Sequence, residues 1–116
     1  MVKFSIVIPT FNEAKYIDET LQSIKRQTFR DYEIIVKDGK STDETVRKAR
    51  KHADKVLSIS DSSVGDARNQ GAKHAKGEIL VFVDADTTLP SDTLQKFSSV
   101  LEDERIVGVG CRKICE

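Results

Sequence analysis

Tryptophan is absent, and proline, cysteine and methionine are scarce: two, two and one among 116 residues. The two cysteines, Cys111 and Cys115, are too few for a disulfide framework or a closed zinc site. They read as thiols of a reducing cytoplasm. No apolar run exceeds the five residues Ile79 to Val83, whereas a membrane-spanning helix needs about 20. Charge of one sign is also missing: 19 basic side chains face 19 acidic ones. A nucleic-acid binder normally carries a basic excess, so that class is set aside. The apolar part of Met1 to Pro9 is too short for a secretory signal and no small-residue cleavage site follows it, so the segment reads as a first strand. There are no repeats, linkers or low-complexity stretches. What is present is 38% apolar and 33% charged residues, the composition of a soluble globular chain. The length fits one domain, residues 1–116, since domains cluster at about 100–150 residues.

Strand and helix signals alternate. Phe4 to Ile8 is apolar and β-branched and stops at Pro9. Asn12 is a candidate cap for a helix whose apolar face is Ile17, Leu21 and Ile24. Tyr32 to Val36 is the second strand. Ser41-Thr42-Asp43-Glu44 has the form of a capping box ahead of a second helix marked by Val46, Ala49 and Ala53. Val56, Leu57 and Ile59 make a third strand. Ser63 caps a third helix through Ala67, Gly71, Ala72 and Ala75, whose small residues permit close approach to a sheet and which Gly77 ends. Ile79 to Val83 is the most apolar strand and is expected to be central. Pro90 and Ser91 open a fourth helix with Leu94, Phe97 and Leu101 on one face, and Ile106 to Val109 is a last strand. This β-α-β-α-β-α-β-α-β order predicts an α/β fold: a mostly parallel sheet with helices on both faces.

Ligands of such sheets bind beyond the carboxyl ends of the strands. Those ends carry Pro9 to Glu13, then Asp38-Gly39-Lys40-Ser41, then Ser60 to Gly65, then Asp84-Ala85-Asp86. Several acids on one rim are mutually repulsive unless a cation joins them, and a divalent metal carrying a diphosphate does so. Asp84-Ala85-Asp86, directly after the most apolar strand, is the sharpest such unit, although an isolated Asp-x-Asp is also a common turn. Asp38-Gly39 reads equally as a turn. Arg68, early in the third helix, is a candidate for contacting base or phosphate. His52, His74 and the run Arg47 to Lys51 read as solvated helix faces.

In combination these residues resemble family 2 glycosyltransferases with the GT-A fold. Phe4 to Glu13 is similar to that family's opening block. Ile35 to Asp43 is similar to its aspartate turn followed by Ser-Thr-Asp. Gly65-Asp66-Ala67-Arg68-Asn69-Gln70-Gly71 is similar to its Gly-x-Ala-Arg-Asn-x-Gly, and Gly77 to Asp86 to the block ending in its metal-binding Asp-x-Asp. The resemblance implies a nucleotide-sugar-binding half with a UDP- or GDP-type donor. Pro9, Thr10, Phe11 and Glu13 would line the base and ribose pocket. Asp38 would accept a hydrogen bond from the base, and Arg68 would sit beside the nucleotide. Asp84, with Ala85, would reach the ribose or a metal-bound water. Asp86, with Asp84, would bind Mg2+ or Mn2+ on the diphosphate. The reaction implied is inverting sugar transfer to a glycan, lipid phosphate or protein acceptor.

Two departures accompany the resemblance. Gly39 stands where many members of the family have a second aspartate. Members are also longer, and no residue from Ile106 to Glu116 offers itself as general base or acceptor site. The chain is therefore expected to be a donor half, cytoplasmic or peripheral to a membrane, binding nucleotide without transferring sugar alone and self-associating at its last strand. One rival is a Mg2+-dependent haloacid dehalogenase-like phosphatase, from Asp84-Ala85-Asp86-Thr87-Thr88, with Asp84 as nucleophile. Another is a non-catalytic interaction domain. A Rossmann dehydrogenase is disfavoured, because no Gly-x-Gly-x-x-Gly follows the first strand.

Overall fold

The computed structural model describes residues 2–100. Alternating β-branched runs and amphipathic segments build β1 (Phe4–Thr10), α1 (Ile17–Lys25), β2 (Tyr32–Asp38), α2 (Thr45–Ala49), β3 (Lys55–Ser58), α3 (Val64–Ala72), β4 (Ile79–Phe82) and α4 (Thr93–Val100). The strands form one parallel sheet in the order β3-β2-β1-β4. The chain steps outward from β1 to β3, then crosses back through α3 to place β4 on the other side of β1. That reversal is the topological switch point, and the crevice it leaves lies at the carboxyl ends of β1 and β4. The expected last strand, Leu101, Cys111 and Cys115 lie outside the described residues, as does the edge expected to self-associate.

Strand alternation sorts the side chains onto two faces. Phe4, Ile6, Ile8, Ile34, Val36, Ile79, Val81 and Val83 pack with Ile17, Leu21 and Ile24 of α1, Ala49 of α2 and Leu94 of α4. The other face receives α3. A methyl group on Gly71 would stand 2.5 Å from Val7 Cγ1 and 3.6 Å from Lys37 Cβ, so the missing side chain is what lets this helix lie against β1 and β2. Right-handed crossovers require this split, because the α3 connection runs in the reverse direction along the sheet.

Among the described residues β4 pairs with β1 alone, and β1 and β2 fill the middle of the four-stranded sheet; the strand expected to follow β4 lies outside them. The β4 run has one buried face, Ile79 and Val81, and a more open one, Leu80 and Phe82. Three local expectations are corrected. Asn12 does not cap α1, which starts at Ile17 without a side-chain cap. Ser41 to Glu44 does not form a capping box, because long-range partners take Ser41 and Asp43 and Glu44 pairs with Arg47. A capping pair forms at α3 instead, where Ser63 accepts from the Asp66 amide and the Asp66 carboxylate accepts from the Ser62 amide. Gly77 does not end α3, which stops at Ala72. A Cβ at Gly77 would stand 2.7 Å from the Ser5 nitrogen, so this glycine serves a close crossing over β1.

Candidate functional site

The cleft at the switch point has a volume of about 300 Å³. β1 and the loop after it supply Pro9, Thr10, Phe11 and Glu13. The β3–α3 loop and the first turn of α3 supply Asp61, Val64 and Ala67, and the end of β4 supplies Asp84, Ala85 and Asp86. The sequence-predicted residues Pro9, Thr10, Phe11, Glu13, Asp84, Ala85 and Asp86 are thus brought together from two separate strand ends.

The β1 wall is held by the β2–α2 loop. Three successive amides, those of Asn12, Glu13 and Ala14, donate to Ser41 Oγ at 2.7 Å, Thr45 Oγ1 at 2.8 Å and Asp43 Oδ2 at 3.2 Å. Asn12 sits in the left-handed region, with φ 54°. From there its side-chain oxygen accepts from the Thr42 amide at 2.8 Å. The Ser-Thr-Asp segment is therefore a clamp on the cleft wall.

Asp38 belongs to this clamp. It was expected to face the cleft, but it is fully buried and does not line it. By alternation it shares the face of Ile34 and Val36, opposite α3. One carboxylate oxygen accepts from Thr10 Oγ1 at 2.7 Å and Ser41 Oγ at 2.5 Å, the other from the Ser41 amide at 2.7 Å. Arg68 also stands off the lining. Its guanidinium lies 3.7 Å from Asp84 and over the Phe82 ring.

The β4 wall is built the opposite way, with main-chain groups anchored and carboxylates open. A buried polar stripe runs along α1 and just past its end: Thr20, Ser23 and Gln27. Thr20 Oγ1 donates to the Ala85 carbonyl at 2.8 Å, Ser23 Oγ accepts from the Leu89 amide at 3.0 Å, and Gln27 bridges the Pro90 carbonyl and the Leu94 amide. Among the described residues, the Asp84 carboxylate makes only the long contact with Arg68, and the Asp86 carboxylate has no partner.

Two participants escaped the sequence reading. Lys37 is fully buried, and its ammonium donates to the carbonyls of Asp38 and Ile59 and to Asp61 Oδ2, the last at 2.9 Å. It fixes Asp61 in the cleft wall. Gly39 leaves room for this arrangement, since a Cβ there would stand 2.8 Å from the Asp61 carboxylate. Asp61 had been noted only as one of the strand-end acids. A lysine in the last turn of an apolar run ordinarily reads as solvated, and no sequence signal marked it otherwise.

A cation fits the open acids on condition that it brings other ligands. Among the described residues, no three His, Cys, Asp or Glu side chains converge to hold a metal by themselves. Asp84 and Asp86 could supply one or two carboxylate ligands, which is what magnesium takes when phosphate oxygens complete its shell.

The sequence profile described as Glycosyl transferase family 2 matches residues 5–116. Over 111 residues the chain is 34% identical to the poly(ribitol-phosphate) beta-N-acetylglucosaminyltransferase TarS of Staphylococcus aureus, covering 89% of this chain and 19% of that protein. It is 41% identical over 105 residues to a PGL/p-HBAD biosynthesis glycosyltransferase of Mycobacterium bovis, covering 84% of this chain and 41% of the relative. The chain thus spans less than half the length of these relatives. Among solved structures, the TarS 1-349 complex with UDP-GlcNAc superposes with a TM-score of 0.78 at 32% identity, covering 99% of this chain and 37% of that one. A mannosyltransferase from Pyrobaculum calidifontis, in complex with GDP-Man and Mn2+, gives a TM-score of 0.80 at 33% identity, covering 87% and 32%. These matches leave the phosphatase reading without support. No helix among the described residues is long and apolar enough to cross a membrane. The four sequence blocks, the β3-β2-β1-β4 sheet with its cleft and the profile match agree: the chain belongs to glycosyl transferase family 2 and has the GT-A fold.

Proposed function

We propose that the cleft holds the nucleoside diphosphate of a UDP- or GDP-type nucleotide sugar, and that the chain is the donor-binding half of an inverting glycosyltransferase. The observation that carries this reading is the acid pair. Asp84 and Asp86 line the cleft with open carboxylates on an anchored main chain. Asp86, with Asp84, would hold Mg2+ or Mn2+ against the diphosphate. When bound, that ion neutralises the charge that develops on the leaving diphosphate. The relatives' complexes with UDP-GlcNAc and with GDP-Man and Mn2+ support the same ligand class.

The rest of the lining suits a base and ribose. Phe11 and Val64 are 60% and 58% exposed on the β1 and α3 walls of the cleft, two apolar surfaces that a base would cover. Asp61, with one oxygen tied to Lys37, offers its other oxygen to a base N–H and takes the role expected of Asp38. Glu13 lines the ribose side. The acceptor, whether glycan, lipid phosphate or protein, and the general base are not assigned to any described residue.

Calorimetry of the chain with UDP and GDP, in Mn2+ and in chelator, tests the reading. Binding that depends on Mn2+ is expected. Absence of nucleotide binding overturns the proposal, and equal affinity with and without Mn2+ overturns the role given to the acid pair.

A further inference from the structure

We infer that Thr20 of α1 is a positioning residue for the acid pair: its buried hydroxyl fixes the peptide between Ala85 and Asp86, and so sets where the two carboxylates meet a cation. The inference rests on the proposed function and extends it to a residue outside the cleft.

A helical threonine or serine hydroxyl commonly bonds back to a carbonyl of its own preceding turn. Ser23 does this, donating to the Thr20 carbonyl at 2.7 Å. Thr20 does not. Its hydroxyl reaches across 65 positions of sequence to the Ala85 carbonyl at 2.8 Å. Ala85 is the residue between the two acids and is itself buried. The carbonyl that Thr20 holds belongs to the peptide leading into Asp86, so rotation of that peptide swings the Asp86 side chain relative to Asp84. Among the described residues no other hydrogen bond ties the Ala85 carbonyl, and the sheet holds the segment only before the acids, where the Val83 amide donates to the Val7 carbonyl at 3.0 Å. The Thr87 amide donates to the Asp84 carbonyl at 3.1 Å, which closes the turn locally without referring it to the sheet or to α1. Ser23 and Gln27 anchor the same segment only from Leu89 onward.

The base from which Thr20 acts is rigid. It shares α1 with Ile17, Leu21 and Ile24, all fully buried, and is fully buried itself. Loss of a group that orients a metal ligand without touching the metal typically costs about 10–100-fold in affinity.

The test uses the 116-residue chain, with UDP and GDP titrated in Mn2+ and in chelator, and thermal unfolding recorded for each variant. Thr20→Val keeps the shape and removes the donor. It is expected to weaken Mn2+-dependent nucleotide affinity by about tenfold or more while leaving affinity in chelator unchanged. Thr20→Ser restores the donor and with it the Mn2+ dependence. Ser23→Ala frees the Leu89 amide farther along the segment. It is expected to lower the unfolding temperature without changing the ratio of the two affinities, which separates positioning from general support. If Thr20→Val does not fold, Thr20→Cys, of similar volume and a weaker donor, takes its place with the same expectation.

The inference is overturned if the folded Thr20 variant keeps wild-type Mn2+ dependence, if it loses affinity equally in Mn2+ and in chelator, or if Ser23→Ala changes the ratio as much. Wild-type chain that binds nucleotide without regard to Mn2+ overturns the role of the acid pair first, and the positioning role with it.

Discussion

Two strand ends in this domain carry aspartates, and they use them in opposite ways. At the end of β2 the Asp38 side chain is occupied, accepting from Thr10 and twice from Ser41, and it is sealed from solvent. At the end of β4 the main chain is occupied, through Thr20 and the Ala85 carbonyl, while the carboxylates of Asp84 and Asp86 open on the cleft. The residue type is the same and the position relative to the strand nearly so. What separates scaffold from site is which part of the residue the fold engages. A buried polar group must find partners inside the protein, and one whose partners are all internal has little left for a ligand.

The largest effect expected from this contrast is on stability at the β2 end. Asp38→Ala leaves the Thr10 and Ser41 hydroxyls and the Ser41 amide without their acceptor. The expected cost is about 3 kcal/mol, a fall of more than about 10 °C in unfolding temperature for a domain of this size. Thermal unfolding monitored by circular dichroism measures it. An Asp38→Ala chain that melts with wild type but has lost nucleotide would break the comparison and return Asp38 to the site.

The next effect belongs to the β4 end and appears in binding. Asp86→Asn is expected to change unfolding free energy by less than about 0.5 kcal/mol, as at other positions free of structural partners. Its Mn2+-dependent nucleotide affinity should drop about tenfold or more, roughly 1.4 kcal/mol. A destabilised Asp86→Asn with intact binding would show that this end, too, is scaffold.

A smaller change sharpens how the two regions communicate. Thr45→Val removes the acceptor of the Glu13 amide, and with it one tie between the clamp and the wall that carries Phe11 and Glu13. A loss of about 1 kcal/mol in stability is expected, together with weaker nucleotide binding in both Mn2+ and chelator. A loss confined to Mn2+ would mean that the clamp acts on the metal side, against the division drawn above.

Most of the fold was legible in the sequence, because periodicity reports burial and burial dictates the layers. Ile17, Leu21 and Ile24 marked α1, and Gly71 with Ala67 marked the helix lying closest to the sheet. The errors came where partners distant in sequence outcompete local ones. Ser41 and Glu44 had the spacing of a capping box, but the Ser41 hydroxyl accepts from the Asn12 amide, 29 positions away, and Glu44 pairs with Arg47. Asn12 looked like a cap and is instead a left-handed residue bonded to Ser41 and Thr42 of the clamp. In the cleft, motif residues at strand ends were legible because parallel topology gathers them on one rim. The Lys37–Asp61 pair was not, because it joins a buried lysine to an exposed aspartate at two positions that each look solvated by themselves.

The smallest predicted effect is one of pH, and it isolates the clamp. The Thr45 hydroxyl bond holds the Asp43 carboxyl below its ordinary value. Its slight burial works the other way, and the Thr45 and Ala14 amides add to the lowering. Because the folded value lies below the unfolded one, the unfolded chain binds the proton more readily. Asp43 therefore stabilises the fold fully above the ordinary aspartate value of about 3.9, and this contribution fades as pH falls through the folded value. Glu33 behaves in the same sense at the opposite rim. Burial raises its value, but the Ser5 hydroxyl, the Lys76 amide and the nearby lysines outweigh it and lower it overall. Comparing wild type with Asp43→Asn cancels the Glu33 contribution. The variant is expected to unfold at a lower temperature near neutral pH, with a shallower decline below about pH 4, so that the two curves converge in acid. Asp43 is exposed, so the gap should narrow further as salt is added. Parallel curves through the whole acid range would show that the Asp43 charge does not hold the Ala14 and Thr45 amides, and that the clamp on the cleft wall rests on Ser41 and Thr45 alone.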